Sequence, residues 1–213
     1  MNKIIPTVFS TNKKKFDERF TKLIRISKDI QIDIIDGHFV RNESVLMKQL
    51  PDLRKYKNNF EIHLMVRRPE KYLKQAKEFG FKKIIFHYES FWNNKKAIEF
   101  TKNIKRKGMK AFIALNPETS VAKIIPLLKE VEGILIMGVH PGREHQELIP
   151  RTFYKIKEIR KHNKSIPIQI DGGVSIKTIN KLKDSGATIF NSGSYISNSD
   201  NPMKAIKNLQ EAP

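Results

Sequence analysis

Residues 31 to 40 read Gln31-Ile32-Asp33-Ile34-Ile35-Asp36-Gly37-His38-Phe39-Val40, a short β-branched run that ends in charge, a glycine and a histidine. Side chains on a strand alternate between its faces, so Gln31, Asp33 and Ile35 share one face while Ile32 and Ile34 share the other. Ile32 and Ile34 suit burial beneath helices. Asp33 puts a carboxylate in the middle of the strand, where it has to be paired, metal-bound or protonated. A buried acid of this kind is either a hydrogen-bonded structural group or a functional one, and the rest of the chain decides between them.

Upstream, Ile4 to Phe9 is an apolar strand, and Thr11 or Asn12 caps a helix carrying Phe16, Phe20, Leu23 and Ile24 at helical spacing. Downstream, after a short helical piece around Ser44 to Leu50, strands follow at Phe60 to Met65, Lys83 to His87, Lys110 to Leu115, Gly133 to Met137, Pro167 to Ile170 and Thr188 to Asn191. Helices fall between them: Pro69 to Phe79, Asn94 to Lys107, a segment from Asn116-Pro117 to about Leu128, Pro150 to Lys161 and Ile176 to Ser185, with a last one near Pro202 to Leu209. Eight short apolar strands, each followed by a helical segment, predict a single (β/α)8 TIM barrel over residues 1–213. An open doubly wound sheet is the alternative. The barrel is favoured because Thr7, Asp33, His63, His87, Asn116, Met137, Asp171 and Gly193 all fall at or near the carboxyl ends of strands, the rim on which barrel active sites are built.

Composition narrows the class. The chain of 213 residues has no cysteine, which excludes disulfides and thiolate zinc sites and is compatible with a reducing cytoplasm. Charged residues from Asn12 to Arg19 interrupt the N-terminal stretch, and no apolar run approaches the roughly 18 residues that span a bilayer, so no membrane role is expected. The formal net charge of +19 suggests a polyanion partner, but lysines are spread through Lys13 to Lys15, Lys102 to Lys110 and Lys155 to Lys164, where helix surfaces or loops should lie. Lysine outnumbers arginine and no aromatic residues interleave the basic runs, which argues for a solvated basic surface rather than nucleic-acid binding.

Asp33 and Asp171, from the second and seventh strands, converge with His63 from the third. Two acids flanking one carbon can remove a proton from one face and return it to the other, which is epimerisation chemistry. Asp, Asp and His are also plausible ligands for a divalent metal that would stabilise the enediolate.

At these residues the sequence resembles the ribulose-phosphate 3-epimerase family. The shared segments are Pro6-Thr7-Val8-Phe9-Ser10, Asp33 through Val40, His63-Leu64-Met65, Asn116-Pro117-Glu118-Thr119, Met137 through Gly142, Asp171-Gly172-Gly173 and Gly193-Ser194. Related phosphate-binding barrels that decarboxylate or condense carry a lysine between the two acids of the second strand; Ile34 and Ile35 stand there instead. The resemblance implies inversion of the carbon beside the carbonyl of a ketose phosphate, ribulose 5-phosphate to xylulose 5-phosphate, with Asp33 and Asp171 as proton carriers. It implies a divalent metal, zinc or iron before manganese or cobalt, held by Gln31, Asp33, His63 and Asp171. It assigns the substrate to Thr7, His63, Met65, Met137, Gly142, Arg143, Gly172, Gly173, Gly193 and Ser194, and it allows a homo-oligomer. An epimerase for another sugar phosphate and a non-catalytic sugar-phosphate-binding barrel are the alternatives.

Three departures stand out. Gln31 occupies the place of a metal-ligating histidine, and an amide oxygen is the poorer zinc ligand. Ile35 replaces a pocket methionine. The loop Gly142-Arg143-Glu144-His145-Gln146 replaces a glycine-rich run, so Arg143 is expected to compensate for lost phosphate-binding amides.

Overall fold

A computed structural model describes residues 1–143 and 146–213. Eight parallel strands close into a barrel in chain order: β1 (Lys3–Val8), β2 (Asp29–Ile35), β3 (Asn59–Met65), β4 (Lys83–His87), β5 (Lys110–Leu115), β6 (Gly133–Met137), β7 (Ile168–Asp171) and β8 (Ile189–Ser192). This is the expected (β/α)8 barrel. Glu144 and His145, part of the altered loop, lie outside the described residues.

The α-helices are α1 (Lys13–Ile26), α2 (Leu73–Phe79), α3 (Asn94–Arg106), α4 (Arg151–His162), α5 (Ile179–Asp184), α6 (Ser194–Ser197) and α7 (Pro202–Glu211). Three start on asparagine caps: the side-chain oxygens of Asn12, Asn93 and Asn201 accept from the N–H groups of Lys15, Lys96 and Lys204. The helical segments expected after β2 and β5 are pairs of 3-10 turns instead, Met47–Gln49 with Leu53–Lys55 and Val121–Lys123 with Ile125–Leu127. Pro51 divides the first pair and Pro126 lies inside the second; each removes an N–H that a continuous α-helix needs. The helix expected from Ile176 starts only at Ile179, because the Thr178 hydroxyl accepts from Ser175 N–H and ties the preceding residues into a turn.

Alternation along each strand divides the apolar residues into two bodies. Ile30, Ile32, Ile34, Phe60 and Ile62 pack outward in the large core under the helices, where Phe20 of α1 stacks on Phe60 with ring centroids 5.8 Å apart. Inside the barrel a smaller cluster contains Ile5, Ile85, Phe112, Leu135, Met137 and Ile189. Other inward positions are polar, Gln31 and Asp33 on β2, Glu61 and His63 on β3, Lys83 and His87 on β4, Gln169 and Asp171 on β7, and Asn191 on β8, with Ile35 and Met65 above them on the same faces of β2 and β3. The polar groups hydrogen-bond to one another across the interior. Register sets the site. Asp33 lies opposite His63 in the β2/β3 pair, and Asp171 is flanked by Met137 on β6 and Asn191 on β8.

Candidate active site

The two carboxylates meet over a single amide. Gln31 Nε2 donates to Asp33 Oδ1 at 2.8 Å and to Asp171 Oδ2 at 2.6 Å. His63 Nδ1 faces the same oxygens, 3.1 Å from Asp171 Oδ2 and 3.4 Å from Asp33 Oδ1. Burial pushes the Asp33 carboxyl up to about 6; the charge of Asp171 adds to this, while hydrogen bonds from His63 and Gln31 oppose it. For His63, burial disfavours the imidazolium, but the carboxylates of Asp171 and Asp33 outweigh it and raise its pKa to about 9. One buried acid is thus held close to the neutral range beside a second acid, an arrangement suited to carrying a proton.

Behind His63 runs a second line of contacts. His63 Nε2 lies 2.9 Å from His87 Nε2, and His87 Nδ1 lies 3.3 Å from Glu89 Oε2. Burial lowers the His87 pKa, so His87 is neutral and one of its nitrogens accepts. Glu89 is held ionised despite its burial by His87, by the Thr119 hydroxyl and by Asn116 N–H. Glu89 Oε2 therefore accepts a hydrogen bond from His87 Nδ1–H, His87 Nε2 accepts from His63 Nε2–H, and His63 Nδ1 is the nitrogen that faces the acids. Phe39, delivered by the loop after β2, covers His87 with its ring centroid 4.7 Å away. Asp36 holds that loop by accepting from the N–H groups of His38, Phe39 and Arg67, a structural part.

Above the acids opens a cavity of about 710 Å³. Of the residues expected to meet substrate, Thr7, Met65, Met137, Gly142, Arg143, Gly172, Gly173, Gly193 and Ser194 all line it, together with Asp33, Ile35 and Asp171. His63 and Gln31 lie beneath its floor, fully buried. The Thr7 hydroxyl is buried without a partner among the described residues, so it is free to bond to a ligand. Gly172 and Gly173 have φ of +93° and +70°, and a Cβ on Gly172 would stand 2.3 Å from Val139 Cγ2; only glycine fits this close approach of the loops after β6 and β7. Lys177 and Lys181 also border the cavity, on a turn and helix that carry no site motif in the sequence. Glu89 and Lys155 belong to the site as well; the one sequence signal for Glu89 is its place two residues beyond His87. Lys155, in a lysine-rich run expected at the surface, is buried and donates to Asn116 O, and burial lowers its pKa to about 8.

A divalent ion is implied by the resemblance, and the donor set tests it. Asp33, His63 and Asp171 each offer a ligand atom, and these atoms all lie within 4.8 Å of one another. Two carboxylates and an imidazole whose orientation is fixed from behind fit such an ion. Gln31, the fourth expected ligand, turns its oxygen to Asn191 Nδ2 at 2.7 Å and its N–H groups to the acids.

Chemical groups gathered at the carboxyl ends of parallel strands define the class, a (β/α)8-barrel enzyme. The sequence model of the Ribulose-phosphate 3 epimerase family matches residues 3–197, and the chain belongs to that family. Among curated relatives, the ribulose-phosphate 3-epimerase of Schizosaccharomyces pombe is 27% identical, with 99% of this chain and 93% of that protein covered. The cytoplasmic isoform of Oryza sativa subsp. japonica is 32% identical over the same shares, and the Escherichia coli K12 enzyme is 28% identical over 97% and 94%. Among solved structures, 3-hexulose-6-phosphate synthase aligns with a TM-score of 0.71 at 14% identity over 99% of both chains. KGPDC from Streptococcus mutans aligns at 0.74 and 12% identity over 100% and 97%. These likenesses show the barrel.

Proposed function

We propose that the protein is an isomerase that inverts C3 of ribulose 5-phosphate, giving xylulose 5-phosphate, with Asp33 and Asp171 as the two proton carriers. One carboxylate takes the C3 proton, the electron pair moves into the adjacent carbonyl to give the enediolate, and the other acid delivers a proton to the opposite face. The observation that carries this reading is the convergence of Asp33 and Asp171 on one point, 2.8 and 2.6 Å from Gln31 Nε2, at the floor of the cavity. Burial and the neighbouring charge of Asp171 hold the Asp33 carboxyl at about 6, where it can both take up and give back a proton.

Other groups follow from their places. Met65 and Met137 give the floor soft apolar walls that exclude water from the reacting carbons. Thr7 Oγ1 bonds a substrate hydroxyl. Gly172, Gly173, Gly193 and Ser194 offer backbone N–H groups to the phosphate, with Arg143 at the same mouth of the cavity. Asp33, His63 and Asp171 would hold a divalent ion, zinc or iron before manganese or cobalt, which when bound stabilises the developing oxyanion as a Lewis acid. The reading carries with it a cytoplasmic place in carbohydrate metabolism, in the pentose phosphate pathway; no described helix is long and apolar enough to cross a membrane.

The test is substitution of each acid. Asp33→Asn and Asp171→Asn should each lower turnover of ribulose 5-phosphate by far more than tenfold with the fold intact by circular dichroism. A variant that keeps over a tenth of the rate, a loss under ~1.4 kcal/mol, removes that residue from the mechanism.

A further inference from the structure

Beneath the two acids lies a run of side-chain amides whose direction is fixed at both ends. At the lower end is Lys83, an ammonium that donates and never accepts. Its Nζ reaches Gln169 Oε1 at 3.1 Å and pairs with Glu61. With its oxygen turned to Lys83, Gln169 directs Nε2 to Asn191 Oδ1 at 2.7 Å and to Glu61 Oε1. Asn191 then donates from Nδ2 to Gln31 Oε1 at 2.7 Å. Gln31 has only Nε2 left for the acids, and it bonds both. The upper end agrees with that direction, since the nearest atoms there are the carboxylate oxygens Asp33 Oδ1 and Asp171 Oδ2, which accept from an amide N–H. Every amide in the run turns its oxygen towards Lys83 and passes an N–H group on towards Asp33 and Asp171, while Gln169 and Asn191 donate a second one to Glu61.

We propose that Lys83, Gln169 and Asn191 are positioning residues that orient Gln31 as a hydrogen-bond donor, so that its NH2 group bridges Asp33 and Asp171 where a fourth metal ligand would otherwise point. The inference rests on these two acids being the ones that act in the proposed reaction. Its consequence is a site whose acids are held together by a neutral amide. A divalent ion that draws on Asp33, His63 and Asp171 must displace that NH2 group. Turning the amide over to offer Oε1 would set two N–H groups of Gln31 and Asn191 against each other. Metal affinity is therefore governed in part by Asn191, which is not among the ligands.

Zinc titration of the metal-stripped protein tests this by calorimetry. Asn191→Leu removes the nearer of the two donors to Gln31 Oε1, leaving only the 3.4 Å contact from Gln169 Nε2, and should bind Zn²⁺ about fivefold to tenfold more tightly than the parent, the worth of one ordinary hydrogen bond. A merely structural role for Asn191 predicts the opposite, since a loosened floor binds more weakly. A second measurement needs no folded variant. In metal-free parent protein labelled with ¹⁵N at glutamine side chains, both Gln31 N–H protons should be protected from solvent exchange, and saturating Zn²⁺ should remove that protection. Zinc binding by Asn191→Leu that is unchanged or weaker would overturn the inference, as would freely exchanging Gln31 protons in the parent. Failure of the parent to epimerise ribulose 5-phosphate would instead strike the assigned reaction and leave the orientation of the amide standing.

Discussion

At the scale of residues, the site depends on which group faces which, and Arg143 shows how much follows from one side chain. It is exposed at the cavity mouth, and among the described residues its guanidinium meets no acid. A guanidinium in that position can take a phosphate with two parallel hydrogen bonds. The phosphate end of a ketose phosphate is remote from C3 and is bound alike in ground and transition states. Arg143→Ala should therefore raise KM for ribulose 5-phosphate about tenfold while leaving kcat nearly unchanged. An unphosphorylated ketose should be handled alike by variant and parent. Equal losses on both sugars would mean that the substitution had disturbed the rim. Asp33, Asp171 and His63 were legible in the sequence because a charged or titratable side chain amid β-branched neighbours has to be explained. Gln31 was legible as an anomaly, but its orientation was not, because that is decided by Asn191 and Gln169, residues far away in the chain.

At the scale of elements, strand alternation accounts for what the sequence showed and what it hid. All eight strands fall within a residue or two of their expected places, since each is a short apolar run bounded by turn residues. Lys83 and Asn191, however, stand at strand ends, where polar residues read as boundaries; closure of the barrel turns both inward. The 3-10 turns after β2 and β5 also escaped, because their apolar spacing resembles a helix and proline overrides it. The interior has its own packing limits. A Cβ on Gly133 of β6 would stand 2.2 Å from Phe112 Cζ of the neighbouring β5, and Lys83 Nζ lies over that ring, 4.2 Å from its centroid. Gly133→Ala should destabilise the protein by roughly 1–3 kcal/mol, read as a lower urea midpoint with unchanged slope. Adding Phe112→Leu should restore part of the loss. An unaffected midpoint in the single variant would show that the ring moves freely, and the account of a filled barrel interior would have to be revised.

At the scale of the whole molecule, the barrel separates its charges by location. The net charge of +19 is carried largely by lysines such as Lys14, Lys15, Lys102 and Lys105 on exposed helix positions, a field that draws anionic metabolites towards the surface without selecting among them. Selection belongs to the site at the carboxyl end of the barrel, where residues separated by more than a hundred positions in the chain, Asp171 and the Gln31 beneath it among them, come into hydrogen-bond contact. That convergence is what a closed eight-stranded barrel provides, and it is why the fold could be read from periodicity while the hydrogen-bond run through its interior could not. The central claim is that two acids on opposite faces of one carbon exchange its proton with solvent. It is tested most directly by running the reaction with ribulose 5-phosphate in D₂O and locating the label by NMR. The account predicts xylulose 5-phosphate carrying one deuteron, at C3 and nowhere else. Product that retains its original C3 proton, or label at another carbon, would contradict it.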